Sequence, residues 1–241
     1  MSITLSEIRK IRNRLLDRIP DKELMQILPH FEMVDMVLGD IVARQGEEIQ
    51  HIYFPCNCSL SCVVYMEGGS GVEVGTIGNE GFTCVEALFD ARIALETVVC
   101  QIAGSSLRMR IEDFVATLSR PGELTRLLHC SGQAYLSQVS QSVACNRLHS
   151  VDMRFARWML ITHDRVHGDE FHLTQEFLAA MLGVHRPSVS TVAGMFQQAG
   201  MIKYSRGRVK ILDRSLLEEA SCECYMVVRR HFERLLGVPR G

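Results

Sequence analysis

Between Leu173 and Ile202 the sequence LTQEFLAAMLGVHRPSVSTVAGMFQQAGMI sets hydrogen-bonding side chains on a pattern suited to reading a nucleic-acid duplex. Thr174 is a good N-cap, with Phe177, Leu178, Met181 and Leu182 forming the apolar face of a first short helix. Gly183 is able to take positive φ and end it. His185 or Arg186 opens a second helix, and Pro187 suits its first turn. Val189, Val192, Met195 and Phe196 mark the buried side of that helix, and Gly200 stops it. Two short helices joined by a glycine-containing turn make a helix-turn-helix, whose second helix enters a major groove N-terminus first. Arg186, Ser188, Ser190 and Thr191 occupy the leading exposed positions, and each can hydrogen-bond bases or phosphates.

An αα-hairpin in a protein core has the same spacing, so the segment that follows decides between the two. IKYSRGRVKIL reads as two strands turning at Gly207, with Lys203, Arg206, Arg208 and Lys210 around the turn. A basic hairpin directly after a helix-turn-helix is a wing placed to touch the phosphate backbone. Charge is distributed to match. Residues 1–151 hold 13 Lys and Arg against 18 Asp and Glu, whereas residues 152–241 hold 13 against 10. Within 173–214 the balance is 6 against 2, so the positive excess sits in one short block.

Other chemistry is less well supported. Nine cysteines are scattered and odd in number, which is no disulfide framework, and reduced thiols in the cytoplasm are expected. Cys56, Cys58 and Cys62 form a C-x-C-x₃-C set that shares one face of a strand, a pattern that also suits buried small hydrophobes. Cys222 and Cys224 fall on a C-terminal helix SLLEEASCECYMVVRRHFERLL, where core packing is the default. His149, His163, His167 and His172 show no ligand spacing and read as surface or hinge histidines. No metal set is assigned. A nucleophile elbow, a phosphate loop and a dinucleotide fingerprint are all missing, so no enzyme is indicated.

The elements that must carry these residues follow from periodicity. Residues 1–20 alternate charged and apolar residues as an amphipathic helix rather than a signal peptide, and no apolar run approaches the roughly 18 residues of a membrane span. From Phe31 to Arg110 short alternating strands are cut by Gly39, Gly46, Gly68, Gly69, Gly78, Gly81 and Gly104, which suggests a barrel, sandwich or roll. A long helix follows Pro121-Gly122, with Leu124, Leu127, Leu128, Ala134, Tyr135, Val139 and Val143 at helical steps. That stripe packs either on its own roll or on a second copy, and Ser131, Gln138 and Ser142 interrupt it. A further helix runs from Val151 to Arg165. The expected architecture is α+β: a jelly-roll-like β-roll over 1–122, a dimerisation helix and hinge over 123–150, and a winged helix-turn-helix with a C-terminal helix over 151–241.

This order of parts resembles the Crp/Fnr family of bacterial transcription regulators, most specifically in the helix-turn-helix and in GDIVARQGEEIQHIYF. The resemblance implies a cytoplasmic homodimer joined through the 123–145 helix, a cyclic-nucleotide-binding-like sensor roll, and a palindromic double-stranded DNA site. RNA polymerase stands as a further candidate partner. The implied DNA contacts are Gln175, His185, Arg186, Ser188, Ser190 and Thr191, with Lys203, Arg206, Arg208 and Lys210 on the wing. In family members the recognition helix opens Arg-Glu and carries a second Arg. Here Pro187 replaces that Glu and Thr191 that Arg, so base preference should differ. In the roll, Glu86 and Arg92 resemble the nucleotide-binding pair. Yet Val85 stands where glycine belongs, Arg92 follows too soon, and Ile93 supplies no hydroxyl. A buried phosphate needs a cation and several donors. A cyclic nucleotide or other small effector therefore remains open, and binding of cAMP in the usual way is not expected. The rival readings are a cysteine-based redox or metal-sensing regulator and a ligand sensor that acts on a protein partner.

Overall fold

A computed structural model describes residue 8, residues 13–166 and residues 168–237. Most of the opening helix expected over 1–20, and His167, lie outside them. After a 3-10 turn at Leu16–Arg18, Pro20 leads into helix α1 (Asp21–Ile27), and Pro29 lies in the following 3-10 turn. Seven strands come next: β1 (Glu32–Met36), β2 (Ile41–Ala43), β3 (His51–Pro55), β4 (Ser59–Tyr65), β5 (Gly71–Ile77), β6 (Thr97–Ile102) and β7 (Gly104–Arg110). They form two antiparallel sheets in the orders β1-β7-β3 and β2-β6-β4-β5, the expected roll. In the core of the roll Phe31, Phe54, Phe82 and Phe114 pack edge-on, stacked or tilted, with ring centroids 5.3–6.4 Å apart. Such pairs add roughly 0.5–1.5 kcal/mol each beyond the area they bury.

Helix α2 (Ile111–Leu118) closes the roll, an element the glycine and proline punctuation did not announce. Helix α3 (Glu123–Leu148) then crosses the molecule. Its N-cap, Gly122, has no side chain. The carboxylate of Glu23 accepts the Glu123 and Leu124 amides at 3.2 and 3.0 Å instead, a negative charge set at the positive end of the helix dipole.

Of the two readings of the α3 stripe, packing within the chain accounts for most of it. Leu124, Leu127, Leu128, Ala134 and Tyr135 are buried, the last against β5. The polar residues that interrupt the stripe are buried too. Gln138 donates to Thr76 O at 2.9 Å, and Ser142 Oγ accepts from Arg157 at 3.0 Å. Val143 and Leu136 stay exposed.

His149 and Ser150 separate α3 from α4 (Val151–His163), which begins the second core. The remaining elements are β8 (Glu170–His172), α5 (Gln175–Leu182), α6 (Arg186–Gln198), β9 (Ile202–Ser205), β10 (Arg208–Ile211), α7 (Arg214–Ala220) and α8 (Cys224–Leu236). The single C-terminal helix expected from the sequence is thus two. Ser221 is extended at φ −80°, ψ 158°, and its hydroxyl donates to the Glu218 carbonyl at 2.9 Å, which ends α7. Helix α8 packs along α3 through Val228, Phe232 and Leu236 around Ala134.

The two halves meet over the β4–β5 hairpin. Val63 of β4 belongs to the core built by Phe155, Phe196 and Leu178. Arg165, beyond α4, is buried against Glu80, with Nε donating at 2.9 Å, and also bonds Thr76 and Gln138. Gly78 permits this approach, since a Cβ there would lie 2.6 Å from the Arg165 side chain. The sequence marks Gly78 only as a turn. Next to it, the Glu73 carboxyl accepts from Ser61 at 2.6 Å and from Trp158 Nε1 at 3.0 Å, joining β5 to α4. Burial pushes this acid from 4.5 up to about 7 in spite of Arg157 and Arg165 nearby.

A carboxyl whose folded pKa is raised binds its proton more tightly in the native state, so stability falls as pH rises from about 4.5 to about 7. Trp158 is the single tryptophan and reports on this contact. Urea unfolding followed by its fluorescence should show that loss in the native sequence and a flatter profile in Glu73→Gln. Identical pH profiles would remove Glu73 as the cause.

Candidate nucleic-acid interface

Local signals build the two-helix unit as the sequence implies. Thr174 caps α5, its hydroxyl accepting the Phe177 amide at 3.1 Å. Gly183 ends the helix at φ +61°, a conformation costly for a residue with a Cβ. His185 is extended and starts α6 with no side-chain cap; Pro187 has no amide hydrogen, and the Ser188 amide donates to the His185 carbonyl at 3.0 Å. Val189, Val192, Ala193 and Phe196 are buried, so the opposite face of α6 is turned outward; Met195, expected on the buried side, is exposed.

On that outward face His185, Arg186, Ser190 and Thr191 are exposed, and Ser188 is half-buried. Ser190 Oγ donates to Gln175 Oε1 at 2.6 Å, so the half-buried Gln175 at the start of α5 is tied to the outward face of α6. Thr191 Oγ1 donates to the Pro187 carbonyl at 3.1 Å. The Arg186 guanidinium lies 3.8 Å from Glu176, with both side chains mostly exposed.

The wing is the β9–β10 hairpin, with Arg206 and Gly207 at φ +49° and +74°. Positive φ at both central residues is what a two-residue type I′ hairpin requires. Lys203, Arg206, Arg208 and Lys210 are all exposed. A third strand, β8, pairs with β10, an addition hidden from sequence reasoning by its three-residue length. Arg208 lies 3.6 Å from Glu170 on β8. Tyr204 fastens the wing to the two-helix unit, its hydroxyl donating to Leu173 O at 2.8 Å, and burial pushes this phenol up to about 12. An open cleft of about 370 Å³ runs between the units, lined among others by Thr174, Gln175, Arg186, Tyr204 and Arg206.

The sequence-predicted residues of the roll are not brought together in this way. Glu86 is buried in a 3-10 turn, Val85–Phe89, and accepts the Leu95 amide at 3.0 Å. Val85 is part of the hydrophobic core, and Arg92 is half-buried. Between the roll and α3, Tyr135 donates to Glu96 at 2.5 Å, beside the buried Cys62. Cys56 and Cys58 are buried as well, and desolvation pushes both thiols up to about 12, a poor state for nucleophiles. Cys145 and His149, by contrast, meet Cys222 and Cys224, a grouping separated too far in the chain for spacing to reveal.

Residues 153–220 match the family model of the Crp-like helix-turn-helix domain. No curated protein matches the chain. Among solved structures it is similar to a protein from Eubacterium rectale assigned to the Crp/Fnr family of transcriptional regulators. The two are 19% identical with a TM-score of 0.66, over 86% of this chain and 96% of that one. It is also similar to TTHB099, a CRP-family transcriptional regulator of Thermus thermophilus, at 17% identity and TM-score 0.63, over 86% and 98%. A third likeness is to the c-di-GMP-responsive global regulator CLP of Xanthomonas campestris, at 14% identity and TM-score 0.63, over 80% and 100%.

The Thr174 cap holds the entry of α5 at the edge of the cleft. Thr174→Ala should lower unfolding free energy by about 1 kcal/mol, read as a lower urea midpoint at unchanged slope. An unchanged midpoint would show the cap to be idle.

Proposed function

We propose, from the premise that residues 153–220 are a Crp-like helix-turn-helix domain on the fold of the Crp/Fnr regulators, that this chain is a homodimeric, sequence-specific DNA-binding transcription regulator. The observation that carries the reading is the exposed leading face of α6 beside a wing bearing four exposed cations. Arg186 is the residue suited to bidentate contact with a guanine, and Ser188, Ser190 and Thr191 are suited to bases or phosphates. Lys203, Arg206, Arg208 and Lys210 supply affinity through phosphates, with Gln175 and His185 at the groove edge.

The dimer contact falls on the part of α3 that the chain leaves uncovered. His129, Leu136 and Val143 recur every seven residues and are exposed, with Gln133 and Ser140 between them. A seven-residue step is the spacing of a two-helix seam. Pairing there would give a two-fold molecule whose recognition helices meet half-sites about one duplex turn, roughly 34 Å, apart.

The roll is the sensor in this reading, and its ligand is not cAMP held in the usual way. Glu86 is engaged by a backbone amide, and Glu96, which accepts the Tyr135 hydroxyl between roll and α3, brings no cation to a phosphate. No helix among the described residues is long and apolar enough to cross a membrane.

Selection from random duplexes tests the assignment. The native protein should enrich one two-fold motif. Arg186→Ala should relax one position of each half-site by about 1–3 kcal/mol, and Arg208→Ala should weaken all duplexes alike and reduce the salt slope by about one. Equal losses on every sequence for both variants would contradict the division of roles. Leu136→Glu with Val143→Glu should halve the mass seen by light scattering and weaken binding to the full site, leaving the helical content unchanged. A doubly substituted protein that remains dimeric would move the interface elsewhere.

A further inference from the structure

At the end of α3 four potential ligands converge from two distant stretches of chain. Cys145 and His149 come from α3 and the linker after it, Cys222 from the break between α7 and α8, and Cys224 from the first position of α8. Their ligand atoms all lie within 4.8 Å of one another, Cys145, Cys222 and Cys224 are buried, and His149 is half-buried. Cys145 Sγ is 3.6 Å from Cys222 Sγ, and Cys224 Sγ is 3.5 Å from His149 Nδ1. For a tetrahedral zinc with bonds of about 2.3 Å to sulfur and 2.0–2.1 Å to nitrogen, the edges come to roughly 3.8 Å and 3.6 Å. The pairs are thus already close to ligand spacing.

The helix break is what makes this possible. In a continuous α-helix, residues two apart point about 200° away from each other, so Cys222 and Cys224 would face opposite sides. The extended Ser221 lets both thiols turn toward Cys145 and His149.

The surroundings fit an anionic thiolate centre. Gln141 Nε2 donates to Cys224 Sγ at 3.1 Å. His149 Nε2 is 3.3 Å from a Glu223 carboxylate oxygen, which fixes the tautomer with Nδ1 free to ligate, the usual outer partner of a metal-bound histidine. Arg154 and Arg157, the first reaching over to the Leu182 carbonyl, have buried Nε atoms with no hydrogen-bond partner, and their charge falls on Cys145.

We propose that Cys145, His149, Cys222 and Cys224 form a Cys₃His site for zinc that clamps the α3–α4 hinge to the C-terminal helices. Soft thiolates with one imidazole in a closed tetrahedral set select zinc over magnesium or calcium. Each cysteine gives up its proton on binding, and no electron is transferred. The site goes beyond the DNA-binding reading and does not depend on it.

The full chain, purified with reductant and dialysed against zinc, should carry about one zinc per chain by elemental analysis. Cobalt added to the metal-stripped native protein should give the thiolate-to-metal and ligand-field absorption of a tetrahedral sulfur site. Cys145→Ser and Cys222→Ser should each lower zinc content about tenfold or more, His149→Ala should blue-shift or abolish the cobalt bands, and Cys130→Ser should match the native protein. Reduced native protein that binds neither ion overturns the site, as does a Cys145–Cys222 disulfide in place of bound metal. The cobalt titration needs no variant to fold. Zinc binding without duplex selection would overturn the DNA reading alone, and duplex selection by a protein that takes up no metal would overturn this site alone.

Discussion

The buried ion pair between Arg165 and Glu80 is the constraint on which the arrangement of the two halves rests. Arg165 is 4% exposed and Glu80 3%, so both charges have left water. The desolvation cost of each, several kcal/mol, is offset only if the remaining donors and acceptors are also satisfied. Thr76 contributes its hydroxyl and its carbonyl, and Gln138 its amide oxygen. One arginine therefore ties the end of α4 to β5 and to α3 together. Removing either charge would strand the other in a dry site, at a cost of about 3–5 kcal/mol. Because such a pair tolerates little displacement, it fixes the orientation of the domain that follows.

The residues around it make sense as consequences. Gln138 and Ser142 look like flaws in an apolar stripe, yet each answers a polar group, Thr76 O in the roll and Arg157 in the second half of the chain. Gly75 is needed because a Cβ there would meet Tyr135 and Gln138 at 2.7 and 2.8 Å. With β5, α3 and α4 locked in this way, α5 lies against β5 and α6 turns its leading side chains outward.

Legibility in the sequence followed the range of the determining interaction. The two-helix unit and wing were readable because their signals are local: a capping hydroxyl at Thr174, positive φ at Gly183 and Gly200, and a tight basic turn at Gly207. The strands of the roll were readable by alternation and glycine turns. Helix α2 was not, because Arg110 caps it with no side-chain bond and neither proline nor glycine marks its start. The split between α7 and α8 turns on the Ser221 hydroxyl, and a serine is as compatible with a helix as with its end. Arg165 with Glu80 is 85 residues apart in sequence, and Cys145 with Cys222 is 77. Neither pairing has a spacing to detect.

The proposed duplex-facing surface has an internal electrostatic balance that its sequence charge conceals. Arg186 faces Glu176, and Arg208 faces Glu170, in exposed pairs at 3.8 and 3.6 Å. Exposed pairs of this length are worth at most about 1 kcal/mol, so they are easily exchanged. A phosphate arriving at either arginine replaces a loosely held carboxylate rather than a bare hydration shell, and the displaced acid returns to water at little cost. Such an exchange lowers the net gain of each arginine–phosphate contact by no more than about 1 kcal/mol. In the proposed reading, discrimination then rests on the short-range geometry of Arg186 and its neighbours, where hydrogen bonds are directional, and the wing contributes a charge term that salt can weaken.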